Sequence, residues 1–167
     1  MMRPALAVRE GRLARFGMSS SNAPIAVTTM LIRRPVAEVF ESFIDPAITS
    51  RFWFSRGSGM LRPGALLTWY WDTYDVSAQV VVETVEQDRR IVIRWPSPVE
   101  WEFEARGEGE TFVRITASGF EGTNEEQVSQ ALDSMGGFSF LLAGCKAYLE
   151  HGIELHLVRD HHPLEPG

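Results

Sequence analysis

Cysteine is almost absent: Cys145 stands alone in 167 residues. No disulfide can form within the chain, and no thiolate cage can hold a metal. A lone thiol fits a reducing compartment, so the expected location is cytoplasmic. Long apolar runs are missing too. Nothing approaches the roughly 18 residues that a membrane-spanning helix needs. Positive charge is in deficit, with 16 Lys and Arg against 22 Asp and Glu and a net charge of −6. No basic segment could follow a phosphate backbone, which argues against nucleic acid as a partner. A glycine-rich phosphate loop, a zinc spacing and a histidine-paired nucleophile are all lacking. The histidines crowd near the C-terminus as His151, His156, His161 and His162. His151 and His156 miss the i, i+4 spacing of a helical metal pair, and the rest read as a solvated tail. No metal and no cofactor is expected, and no catalytic residue can be named.

What is present is an ordinary globular composition, 44% hydrophobic and 23% charged, at a length for one domain. Residues 1–24 stand apart. They carry Arg3, Arg9, Arg12 and Arg15 and read as a flexible extension, with Met18 as a second candidate start. The domain is expected over 25–157, followed by a tail over 158–167.

Within it, "IAVTTMLI" is β-branched and reads as a strand that ends at Pro35. Two short helices follow, "PVAEVFESFID" and "AITSRFWF", then a Gly-rich loop. Five strand-like runs come next, over 65–71, 75–86, 90–95, 99–105 and 111–118. The breaks between them are too short for parallel returns, so the strands form an antiparallel meander. In "EWEFEA", Glu100, Glu102 and Glu104 take one face, Trp101, Phe103 and Ala105 the other. The sheet therefore has a wet face and an apolar face. The cover is a long helix from Asn124 to about Glu150. Its apolar stripe is Val128, Ala131, Leu132, Met135, Phe138, Leu142, Cys145 and Leu149. Gly136 and Gly137 interrupt it, which calls for a close contact or a bend.

This order of elements resembles the helix-grip fold of the START-like, or SRPBCC, superfamily. "RRPVAEVFESFIDPAITSRFWF", "RRIVIRW", "VEWEFEARGEGETFVRITASGF" and "GGFSFLLAGCKAYLEHG" are similar to motifs of its branch related to the activator of the heat-shock protein ninety ATPase. The resemblance implies an α+β fold in which a curved six-stranded antiparallel sheet wraps a long C-terminal helix. It also implies a mixed range of activities: hydrophobic-ligand binding, polyketide cyclisation or co-chaperone action. The Gly-Trp of the family's long helix is replaced here by Gly137-Phe138, which removes an N–H donor.

Ten Phe and five Trp serve one domain. Large rings interdigitate poorly, so an apolar cavity is expected between sheet and helix. Its mouth would lie beside Phe52 and Trp53, although these rings could equally close the core. Its wall would draw on Trp69, Trp71, Tyr74, Trp95, Trp101, Met135, Phe138 and Leu142. Tyr74 with Asp72 could act as an acid–base pair if buried, or simply form a turn. The leading expectation is a binding or regulatory domain for a small apolar molecule. The alternatives are a polyketide cyclase-type enzyme, and an interaction module that acts on a chaperone or forms a homodimer.

Overall fold

The computed structural model describes residues 22–167; most of the expected extension, residues 1–21, lies outside them. β1 (Ala26–Ile32) pairs antiparallel with the last strand, Ala26 opposite Ala117 and Ile32 opposite Thr111. Pro35 supplies the fixed φ that starts α1 (Val36–Ile44). Val39, Phe40, Phe43 and Ile44 recur at helical spacing on its buried side. Asp45 ends α1 and caps α2 (Pro46–Thr49), accepting the Ala47 amide at 2.9 Å.

The second helix was expected to run through Phe54, but it stops at Thr49. The Thr49 carbonyl accepts the amides of both Phe52 (3.1 Å) and Trp53 (3.0 Å), tightening the chain into a turn. A continued helix would place three successive rings about 100° apart and leave one in water. The turn lets them fan out.

A seventh strand joins the six expected. β2 (Arg56–Gly57) lies in the Gly-rich loop and pairs with β3 (Leu66–Trp71), Arg56 opposite Tyr70 and Gly57 opposite Trp69. Contact is close there: a Cβ on Gly57 would sit 2.9 Å from the Pro46 Cβ. β4 (Val76–Glu86), β5 (Arg90–Trp95), β6 (Ser97–Ala105) and β7 (Thr111–Ala117) complete an antiparallel sheet ordered β1-β7-β6-β5-β4-β3-β2. Trp101 and Phe103 are buried while Glu102 and Glu104 are exposed. A bulge in β4 sets Val82 opposite Ile93 but Thr84 opposite Val92, which returns Val85 to the core side.

α3 (Asn124–His151) opens with a capping box between Thr123 and Glu126 and closes at Gly152, at φ 66°. It is tied to the β1 margin of the sheet. Lys146 Nζ donates to the Leu31 carbonyl at 2.9 Å, Arg34 Nε to the Leu149 carbonyl at 2.8 Å, and the Arg33 amide to the Glu150 carboxylate at 3.1 Å. Phe138, Leu141, Leu142 and Cys145 are buried. In the first half the expected stripe holds only at Ala131, which is buried; Val128, Leu132 and Met135 are 48%, 63% and 40% exposed. The three ties to the β1 margin are made from the last two turns. Nearer the middle of the helix the Thr28 hydroxyl reaches the Met135 carbonyl at 3.5 Å, and the inner face of the far strands stays open beside the first half. Residues 158–167, expected as tail, begin inside α4 (Leu157–His161). Among the described residues no helix is long and apolar enough to cross a membrane.

Candidate functional site

The turn after α2 sends Phe52 to one side and Trp53 and Phe54 to the other. Phe52 is buried against Phe43 (5.7 Å between centroids) and Tyr148 (6.2 Å). Phe54 stacks on Trp69 at 5.1 Å. Trp53, half-buried, stands edge-on to Trp69 (4.9 Å), Trp95 (5.5 Å) and Trp71 (6.1 Å). Trp71 from β3 and Trp95 from β5 are parallel within 8° at 5.7 Å. Between their strands runs β4, which carries only Val76 and Ala78 at that end of the inner face. The small side chain of Ala78 lets the two indoles lean together.

Above these indoles is an open groove of about 760 Å³. Trp53, Trp71, Val76, Ala78 and Trp95 form its floor, and Leu132, Gly136, Gly137 and Phe140 of α3 its roof. Val158, His161 and His162 close one end. A second space of about 420 Å³ adjoins it on Pro96, Val99, Ser134 and Phe138; the two share Trp53, Trp95, Asp133 and Gly137. The glycine pair has the opposite role to the one expected. A Cβ on Gly136 or Gly137 would meet nothing within 4 Å, so these residues present bare backbone to open space. The close contact is made by Gly144, whose Cβ would lie 3.1 Å from the Phe52 carbonyl oxygen.

Of the sequence candidates, Trp53, Trp71, Trp95 and Phe138 meet at this groove. Phe52, Trp69, Trp101 and Leu142 are buried behind it. Trp101 packs on Phe138 at 6.0 Å, and its Nε1 is a buried donor with no partner. Met135 is exposed and lines neither space, because the helix turns that residue outward. Tyr74 is not in the wall either. Its hydroxyl donates to the His162 carbonyl at 2.7 Å, with the Val158 and Arg159 carbonyls at 3.2 and 3.4 Å, and so clasps α4 to the end of the sheet. Asp72 instead pairs with Arg56 at 3.1 Å, so Tyr74 and Asp72 do not form the acid–base pair considered above. Sequence reading missed Asp133, Phe140, His161 and His162. Asp133 and Phe140 precede and follow the glycine pair, which was the available signal; nothing local marks the histidines.

Among the described residues three groups are shifted from their ordinary range. Burial pushes the Cys145 thiol up to about 12, only partly opposed by Ser42. Burial also raises the Glu150 carboxyl, but Lys146 and the Arg33 amide outweigh it and the net shift is downward. The hydrogen bond to Glu100 raises the Arg90 guanidinium. None of the three lines the groove. Among the described residues no His, Cys, Asp and Glu cluster could hold a metal.

The family model for "Activator of Hsp90 ATPase homolog 1-like protein" matches residues 33–150. Protein SSP2350 from Staphylococcus saprophyticus has a similar solved structure: TM-score 0.71 and 32% identity, over 79% of this chain and 96% of that one. The Aha1 dimer from Colwellia psychrerythraea is similar at TM-score 0.67 and 14% identity, over 77% and 98%. CalU16 from Micromonospora echinospora is similar at TM-score 0.62 and 18% identity, over 80% and 78%. No curated protein matches. With most of the chain matched and the fold shared at this coverage, the protein belongs to the family of Activator of Hsp90 ATPase homolog 1-like proteins.

Proposed function

We propose that this domain binds a small, largely apolar molecule in the groove between the Trp71–Trp95 pair and the Gly136–Gly137 backbone. One observation carries the reading. About 760 Å³ of open space sits against three half-buried indoles, where the helix withholds two side chains that would otherwise fill it. A ligand covering those faces removes apolar area from water at about 25 cal/mol per Å². A cyclase-type enzyme would place a perturbed acid or base in the groove. The groups whose titration is shifted, Cys145, Glu150 and Arg90, line neither space. The lone buried thiol supports a reducing, cytoplasmic setting. Titration with the neutral dye Nile red tests the proposal. The dye should bind and quench Trp fluorescence, and Gly137→Leu, which adds a side chain to the roof, should weaken binding about tenfold with little change in melting temperature. Equal binding to both proteins would place the dye elsewhere and remove the reading.

A second reading rests on the exposed Val128, Leu132 and Met135. Such a patch on one helix can join two copies of the chain, and the similar Aha1 is described as a dimer. Sedimentation should then show a dimer that Val128→Glu converts to monomer. A monomeric wild-type protein at high micromolar concentration would end this reading.

A further inference from the structure

We propose that the ligand is a cationic amphiphile, whose ammonium head sits beside Asp133 and the indoles of Trp53 and Trp95 while its apolar body fills the groove. The inference rests on the groove being a ligand site. It adds the charge of the ligand.

Asp133 stands where the two spaces meet, sharing that junction with Trp53, Trp95 and Gly137. With histidine counted as neutral, it is the one formally charged residue among those lining either space; no Lys or Arg lines them. Its carboxylate makes no ion pair and no hydrogen bond among the described residues, although most other acids near the sheet are paired with arginine. The neighbouring walls are indole. Trp53 is steeply inclined to Trp71 and Trp95, at 79° and 77°, so the indoles that line the space lie in two orientations. An indole face is electron-rich and attracts a cation, more so where water is partly excluded. A free carboxylate lining the same space as three indoles therefore offers a cation a place at the edge of an apolar slot. A carboxylate amphiphile would meet the opposite: like charge at Asp133, no basic residue in the wall and a protein of net charge −6. The glycine roof matters here as well. Gly137, one turn after Asp133, leaves open a space that a side chain there would enter.

Equal-chain probes separate the charge from the grease. Decyltrimethylammonium, decanol and decanoate are titrated below their micellar range at pH 8, with Trp fluorescence as readout. The ammonium should bind roughly tenfold tighter than decanol. Decanoate should bind weakest, and added salt should narrow the spread. Asp133→Asn, an exposed helix position, should remove most of the ammonium's advantage and leave decanol unchanged. Glu104→Gln removes one charge from the far face of the sheet and should change nothing, which separates a local carboxylate from net charge. If decanol and the ammonium bind alike, the charge inference fails while the groove stands. If Asp133→Asn keeps the preference, Asp133 is not its origin. If none of the three binds, the groove reading falls with it.

Discussion

The Thr49 carbonyl shows how much one backbone group can decide. By accepting two successive amides it ends α2 early, and Phe52 goes to Phe43 and Tyr148 while Trp53 and Phe54 pack on the indoles of the sheet. Periodicity marks where apolar side chains recur but not where a helix gives way to a turn, so the sequence left open whether these rings close a core or line a site. Strand parity is easier to read, because a period of two allows only two answers. Phe103 is 5% exposed and packs against Phe40 (5.3 Å) and Phe43 (5.9 Å). Phe103→Ala should lower the unfolding free energy by about 3 kcal/mol or more. Its neighbour Glu104 meets Arg106 at 3.2 Å with both side chains more than half exposed. Glu104→Ala should cost less than about 0.5 kcal/mol, because solvent screens such a pair. Urea denaturation of the two variants compares them directly, and equal losses would mean that the inner and outer faces of β6 have been interchanged.

At the scale of elements, α3 carries three glycines whose surroundings differ. Gly136 and Gly137 face open space; Gly144 is buried against the backbone of Phe52. Alanine at 136 or 137 should raise stability by up to about 1 kcal/mol, the intrinsic helix preference with nothing to clash. Alanine at 144 must displace a carbonyl oxygen 3.1 Å away and should cost about 1–3 kcal/mol. Thermal melts of the three variants should therefore move in opposite directions, and a uniform stabilisation would contradict the packing at Gly144. The helix itself was legible through the apolar spacing from Val128 to Leu149. The part of that stripe that docks was not. Docking depends on Arg33, Arg34 and Lys146 reaching partners more than a hundred residues away in the chain, and such pairings leave no local period.

Across the whole molecule, the meander and its covering helix followed from short breaks and alternating faces, and only the two-residue β2 was added. The groove was less legible because it is assembled from β3, β4, β5, α3 and the C-terminal segment. The histidines of that segment read as solvated and have no pattern of their own. One hydroxyl and one ring contact help to fix their place. Tyr74 holds the His162 carbonyl at 2.7 Å, and the His161 ring lies 4.8 Å from that of Phe140. Residues 159–167 are exposed, so the segment adds little to the core and much to the end wall of the groove. Deleting residues 155–167 should therefore cost no more than about 1–2 kcal/mol of global stability, the range for contacts outside the core. The same deletion should open the groove: acrylamide should quench Trp fluorescence more strongly, and Nile red affinity should fall several-fold. Tyr74→Phe should reproduce part of the dye effect by removing one hydrogen bond, worth about 1 kcal/mol, while leaving the aromatic packing in place. A truncated chain that binds the dye as tightly as the full chain would show that α4 is not part of the binding site, and the groove would then have to be defined by the sheet and α3 alone.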